Sequence, residues 1–212
     1  MPSGLPTLLA DSGQVLQLAD RSGQRCGGPV LLAGLVLGTG VVELSSGPLG
    51  QTSRFSLELL VLLVLQLVGP MLVTLLAMAL LLPRWLEPGQ ARWRVAMPAA
   101  ALVGGLLLLL FLVAALTGGV LATPRADLIG EVRDLLSGVL INDLLRSTLR
   151  SALFLAILCG WSQWRGGLNI RRGLPPALIS SNLLVEGLML LLGLKLLWIT
   201  ALDPLRLSTS AQ

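Results

Sequence analysis

A helix needs about 20 consecutive, predominantly apolar residues to cross the roughly 30 Å hydrocarbon core of a bilayer, and this chain offers four runs near that length. They are Gly28 to Leu44, Phe55 to Leu82, Val95 to Leu121 and Pro176 to Ala201. A fifth, Ser151 to Trp164, has only about 14 apolar residues, a length as typical of a re-entrant or interfacial segment as of a crossing helix. Inside lipid the backbone must satisfy its own hydrogen bonds, so runs of this kind read as helices. The expectation is an all-α, polytopic integral membrane protein with about five transmembrane helices, residues 1–212 forming a single transmembrane domain. Gly69-Pro70, in the middle of the second run, should kink it where the proline removes a backbone hydrogen bond.

Composition supports that class, since 12% of residues are charged and the mean hydropathy is +0.85, against about 25% charged in a soluble domain. The net charge of +4 comes from residues scattered between the apolar runs, with no basic block. That distribution speaks for membrane topology and against a nucleic-acid partner. The sequence holds no His and no Tyr, which removes the commonest metal ligand, the usual axial ligand of haem and the commonest general base. Cys26 and Cys159 have no metal-site spacing and read as reduced, buried thiols. No nucleophile-base pair and no G-x-S-x-G, H-E-x-x-H or Walker pattern is present, so the chain is read as non-enzymatic, with no cofactor and no metal.

Loops rich in Arg and Lys stay cytoplasmic. The segment Pro83 to Arg94 carries Arg84, Arg92 and Arg94 against Glu87, and the segment after the fourth run carries Arg165, Arg171 and Arg172 with no acid. Both are expected inside, in cytoplasmic loops. The stretch Pro124 to Thr148 carries Asp127, Glu131, Asp134 and Asp143 against Arg125, Arg133 and Arg146 and reads as external. The runs then alternate with the N-terminus cytoplasmic and the C-terminus external, in a bacterial inner membrane or a comparable energy-transducing membrane. Residues 1–27 lack the basic start and continuous apolar core of a signal peptide and are expected to be retained as an N-terminal interfacial segment. Asp143, Arg146 and Arg150 share one helical face, and Leu136, Leu140 and Leu144 another, which predicts an external amphipathic helix leading into the fourth run.

Within the fifth run, Glu186 is the sharpest single residue, because an ionisable group near mid-span costs at least about 2.5 kcal/mol unless paired, neutral or hydrated. Asn182 lies one turn earlier on the same face, so the two are candidates for a polar face towards a cavity or a neighbouring helix. Lys195, near the outer end, reads as an interfacial anchor. Gly34 and Gly38 form a G-x-x-x-G, and Ser147 and Ser151 a similar pair of small residues, spacings that let helices approach closely in lipid. They suit packing within the chain or a dimer seam.

Three stretches carry a resemblance: "VGPMLVTLL" (Val68 to Leu76), "VAMPAAALVGGLLLLL" (Val95 to Leu110) and "DLLRSTLRSALFLAILCGWSQWRGGLN" (Asp143 to Asn169). With the layout of spans they resemble the MlaE-type permeases of ABC systems that move phospholipid between membranes. The resemblance implies a homodimeric, permease-like subunit acting on membrane lipid or another amphiphile with a separate ATPase. That family carries an acidic coupling helix between its second and third spans, where this chain has only "PRWLEPGQARWR", and Pro88-Gly89 would break a helix there. The alternative is a non-catalytic structural or assembly subunit of a larger membrane complex, its seams and short helices packed against other membrane subunits.

Overall fold

The computed structural model describes residues 5–46, 68–86, 93–122, 141–173 and 175–201, and among these every regular element is a helix. In chain order they are α1 (Leu5–Ser46), α2 (Gly69–Trp85), α3 (Trp93–Ala122), α4 (Ile141–Arg171) and α5 (Pro176–Ala201). Four contain stretches long and apolar enough to cross a membrane, namely Ser12–Glu43, Trp93–Ala122, Asp143–Arg171 and Ala177–Thr200, while α2 is a shorter apolar helix. The first half of the run at 55–82 lies outside the described residues, as do 123–140 of the external connection. The kink expected at Gly69-Pro70 falls at the start of α2, where Pro70 occupies the first turn, a position that needs no N–H donor.

Two boundaries differ from those the apolar runs suggest. Residues 1–27 and 28–44 do not separate into an interfacial segment and a span, because α1 is one helix of 42 residues that continues through Pro29. Its continuity follows from a buried face, Ala19, Ser22, Cys26, Val30, Gly34, Gly38 and Val42, that recurs at helical spacing from the polar half into the apolar half. Likewise the fourth run is no 14-residue segment: α4 extends over 31 residues. Ser147, Arg150, Ser162 and Asn169 cut the hydropathy short, yet all four are buried on the same face as Phe154, Leu155, Leu158 and Cys159. Asp143 to Arg150, expected on an external helix leading into this run, form the beginning of α4 itself. Arg165 and Arg171, expected in a loop, lie within its last turns, and only Arg172 and Gly173 form a turn.

That turn is built by Gly173, whose φ of 71° is a left-handed conformation that glycine adopts without strain. Its N–H donates to the Ile170 carbonyl at 3.0 Å. Pro175 and Pro176 then start α5, with the Ile179 N–H donating to the Pro175 carbonyl at 3.1 Å.

Residue contacts give the direction of each helix. Gly34 and Gly38 of α1 meet Phe111 to Ala115 of α3, and Gly118 of α3 meets Leu35, so α1 and α3 are parallel. Gly104 of α3 meets Ser151 and Leu155 of α4, and Gly160 of α4 meets Met97, so those two are antiparallel. Gly166 of α4 meets Leu86 at the end of α2, whereas Gly187 of α5 meets Met78 and Leu158. The helices thus alternate up and down. α1 packs chiefly on α3, α3 on α4, and α4 on α2 and α5; among the described residues α1 touches neither α4 nor α5. The centre of the bundle is filled by Met78, Leu81, Leu82, Leu108, Phe111, Phe154, Leu155 and Leu158, none more than 2% exposed.

Candidate functional site

The small residues singled out by spacing sit at the closest helix approaches. A Cβ added to Gly34 would stand 2.6 Å from the Phe111 carbonyl oxygen and 2.9 Å from Ala114 Cβ. One added to Gly38 would overlap the Ala115 carbonyl, and one added to Gly118 would overlap that of Leu35. The G-x-x-x-G of α1 therefore faces α3 of its own chain. Nearer the N-terminal end of α3, Gly104 meets the Ser151 carbonyl, and Ser151 Oγ donates to the Gly104 carbonyl at 3.0 Å. Ser147 is buried one turn earlier, 2% exposed. Lipid gives apolar side chains no reason to associate, so van der Waals contact between backbones and such interhelical hydrogen bonds supply the attraction.

Glu186 faces a neighbouring helix. Arg165 Nη2 donates to its Oε1 at 2.9 Å and Arg165 Nε to its Oε2 at 3.1 Å, a bidentate pair whose planar guanidinium matches the carboxylate. About a third of each side chain is exposed, 33% for Arg165 and 32% for Glu186. Arg165 also lies over the Trp161 ring, 5.8 Å from its centroid, and Trp161 packs edge-on against Trp164. The pair ties α4 to α5, and each carboxylate oxygen accepts one of the two bonds. Asn182, one turn from Glu186, is exposed.

At the other end of the same helix pair, Arg150 is buried beneath Trp198, 4.9 Å from the ring centroid, and Trp198 packs edge-on against Phe154 at 6.1 Å. Lys195, expected to reach for the interface, is buried too, 6% exposed. Cationic stems can pack along apolar surface while their heads find partners, and hydropathy alone cannot tell that arrangement from an exposed anchor.

The cations that Arg placement assigned to cytoplasmic loops are dispersed. Arg84 is in the last turn of α2, Arg94 in the first turn of α3 against Trp93 at 5.7 Å, and Arg92 lies outside the described residues. Among the described residues no three of His, Cys, Asp and Glu stand close enough to share a metal ion.

Sequence reasoning missed the partner of Glu186. A signal was present, because Arg165 and Glu186 each stand about ten residues from Pro175-Pro176, and a helical hairpin folded there brings such positions together. Comparison with protein-family models, with curated proteins and with solved structures finds no match to this chain.

Proposed function

We propose that this chain is a non-catalytic structural or assembly subunit of a larger membrane complex. The observation that carries the reading is the bidentate Arg165–Glu186 pair: the acid within the apolar run of α5 ties two helices of the same chain together. The glycine and serine seams work in the same sense, as does the short connection "PRWLEPGQARWR", which has no room for a helix that grips an ATPase. The chain would sit in a bacterial inner membrane or a comparable energy-transducing membrane, N-terminus cytoplasmic and C-terminus external, as its Arg placement favours.

A second reading, a permease-like subunit for lipid or another amphiphile working with a separate ATPase, is favoured by one observation. Asn182 is exposed and the ion pair next to it is partly so, which leaves a polar strip on α5 that a transported headgroup could follow. Glu186→Gln and Glu186→Leu separate the two. An assembly role predicts that both lower thermal stability in detergent and the yield of the complex while lipid export is unchanged. A transport role predicts a folded Glu186→Gln protein with altered export.

A further inference from the structure

Helices α1, α3, α4 and α5 stand in a row. Among the described residues each touches the next, α1 reaches neither α4 nor α5, α3 does not reach α5, and α2 lies behind the row in contact with all four. Neighbours in the row keep a nearly constant register. Gly27 meets Leu110, Gly34 meets Phe111 to Ala115 and Gly38 meets Ala115, so a position on α1 is level with the one about 80 residues further on in the parallel α3. Gly104 meets Ser151 and Gly160 meets Met97, so level positions on α3 and α4 have numbers that add to about 256. Arg165 bonds Glu186, Gly166 meets Leu183 and Arg150 lies beneath Trp198, which makes the corresponding figure about 349 for α4 and α5. These registers set the apolar stretches at different heights. The middle of the apolar run of α1, Val36, is level with Leu116, whereas α3 has its own middle at Leu108; the middle of α4, Ala156, is level with Ala100, and that of α5, Leu188, with Val95. From α1 to α5 the centre descends by about 21 residues, roughly 31 Å at 1.5 Å per residue.

The polar ends descend in the same order. At the Arg-rich end, Arg25 of α1 lies about 12 residues beyond Trp93 towards the C-terminal end of α3, and Arg171 of α4 about 8 residues to the other side. At the opposite end Glu43 is level with the position just past Ala122, Asp143 with Val113 and Ala201 with Leu108. A bilayer perpendicular to the helices fits neither end. A slab about 20 residues thick starting at Trp93 would hold Gln14, Gln17, Asp20, Arg21, Gln24 and Arg25, all exposed on α1, in hydrocarbon, where charged groups are costly. It would also leave Leu178 of α5 in water on one side and Val36 and Leu121 on the other, although these side chains are 54%, 66% and 70% exposed. Sliding the slab along the bundle exchanges one fault for the other.

We propose that this chain meets lipid through a slanted belt: its helices lean about 45° from the membrane normal, within the plane of the row, so that the bilayer follows the descent from α1 to α5. The angle comes from two separate observations. A fall of roughly 31 Å over three neighbour distances of about 9 Å each is a slope of about 45–50°. Helix length gives the same figure, because α3 and α4 run for 30 and 31 residues, about 45 Å each. An upright helix needs only about 20 residues, whereas one leaning by about 45° needs about 42 Å to cross a core of about 30 Å. Long helices take up their excess length by tilting, although the usual lean is nearer about 20°. In this setting Arg25, Trp93 and Arg171 lie near one boundary, and Glu43, Asp143 and Ala201 near the other. The polar half of α1 up to Arg21 stands outside the hydrocarbon as a helix. Among the described large apolar side chains that are exposed, Leu16 alone falls outside the belt. The belt is a property of the chain in its bilayer and holds for either functional reading.

Single cysteines in the full chain, with Cys26→Ala and Cys159→Ala as background, test the belt in native membranes opened so that a water-soluble maleimide reaches both faces. Gln24 of α1 and Leu106 of α3 are at nearly the same height along the bundle, as are Arg94 of α3 and Val185 of α5, and all four are exposed. An upright bundle makes the members of each pair alike. The slanted belt puts Gln24 and Arg94 at the water boundary and Leu106 and Val185 well inside the hydrocarbon, where the reactive thiolate does not form. Gln24→Cys should therefore label at least about tenfold faster than Leu106→Cys, and Arg94→Cys at least about tenfold faster than Val185→Cys. Equal rates within either pair would overturn the proposal. A second measurement needs no variant: infrared dichroism of the amide band, recorded on the native chain in oriented bilayers, should give a mean helix inclination near about 45°, and a mean below about 30° would overturn the proposal as well.

Discussion

Replacing Gly38 by alanine adds one methyl group to a helix that is otherwise unchanged, and in water that exchange stabilises a helix interior by about 0.5–1 kcal/mol. Here the sign should reverse. The new Cβ would overlap the carbonyl oxygen of Ala115 and crowd its carbonyl carbon and Cα, backbone atoms of a second helix that no rotamer change can move. To reach ordinary contact, α1 must draw back from α3 by roughly 1 Å, and a gap of that size forfeits about a quarter to a half of the dispersion attraction between the facing atoms. Gly34, Leu35 and Gly118 share this seam, so the loss spreads over about two helical turns. With overpacking in a filled core costing about 1–3 kcal/mol, a value near the top of that range is expected. The control lies in the same helix: Gly28 and Gly40 have nothing within 4 Å of the added atom, so Gly28→Ala and Gly40→Ala should be neutral or slightly stabilising. Thermal unfolding of the three variants in one mild detergent, followed by retention of a monodisperse gel-filtration peak, makes the comparison. If Gly38→Ala proves as stable as Gly28→Ala, the helices do not meet as described and the reasoning fails.

Ser151→Ala removes the hydroxyl that bonds the Gly104 carbonyl and keeps the small size of the seam, so a loss of only about 0.6 kcal/mol is expected; Ser151→Leu, pressed against the α3 backbone, should cost several times more in the same melting assay. Arg165→Lys keeps the charge but cannot reproduce the two-pronged contact with Glu186; for a pair about one-third exposed, a loss of about 1 kcal/mol or less is expected, and a melting temperature lower than that of the Arg165→Ala variant would contradict the pairing. Single cysteines at Gln90 and Leu168 in a Cys-free background should resist an impermeant thiol reagent added outside intact cells, and labelling of both from outside would reverse the orientation. Cys159, fully buried between α4 and its neighbours, should react with a small maleimide only after denaturation, which a mass shift in the native protein would disprove.

Class and element type were readable because they depend on quantities that add along the chain. A run such as Val95 to Leu121 is apolar on every side, so it spans whatever its neighbours are, and a membrane leaves the helix as the form that satisfies its backbone. The close approach at Gly34 and Gly38 was readable too, since three intervening residues put two missing side chains on one face. Which helix they would meet was not, because the spacing of glycines carries no information about the partner; α3 meets them with Phe111 to Ala115.

Helix ends and polar partners were decided by tertiary structure. Hydropathy stopped the first span at Gly28 and the fourth at Ser151, but a helix ends where its backbone bonds end, and packing on α3 carries α1 through a polar half just as packing on α2, α3 and α5 carries α4 past Arg150 and Arg165. Glu186 announced itself in the sequence as a group needing a partner, since an unpaired charge in lipid is costly at any position. The choice of Arg165 over Asn182 came from the hairpin at Gly173, which brings residues 21 apart in sequence to within hydrogen-bond distance. The sequence alone determined that this chain lies in a membrane as helices, because burial in lipid is a property of each segment by itself. Which polar groups meet depends on distances between segments, and these exist only once the helices have packed.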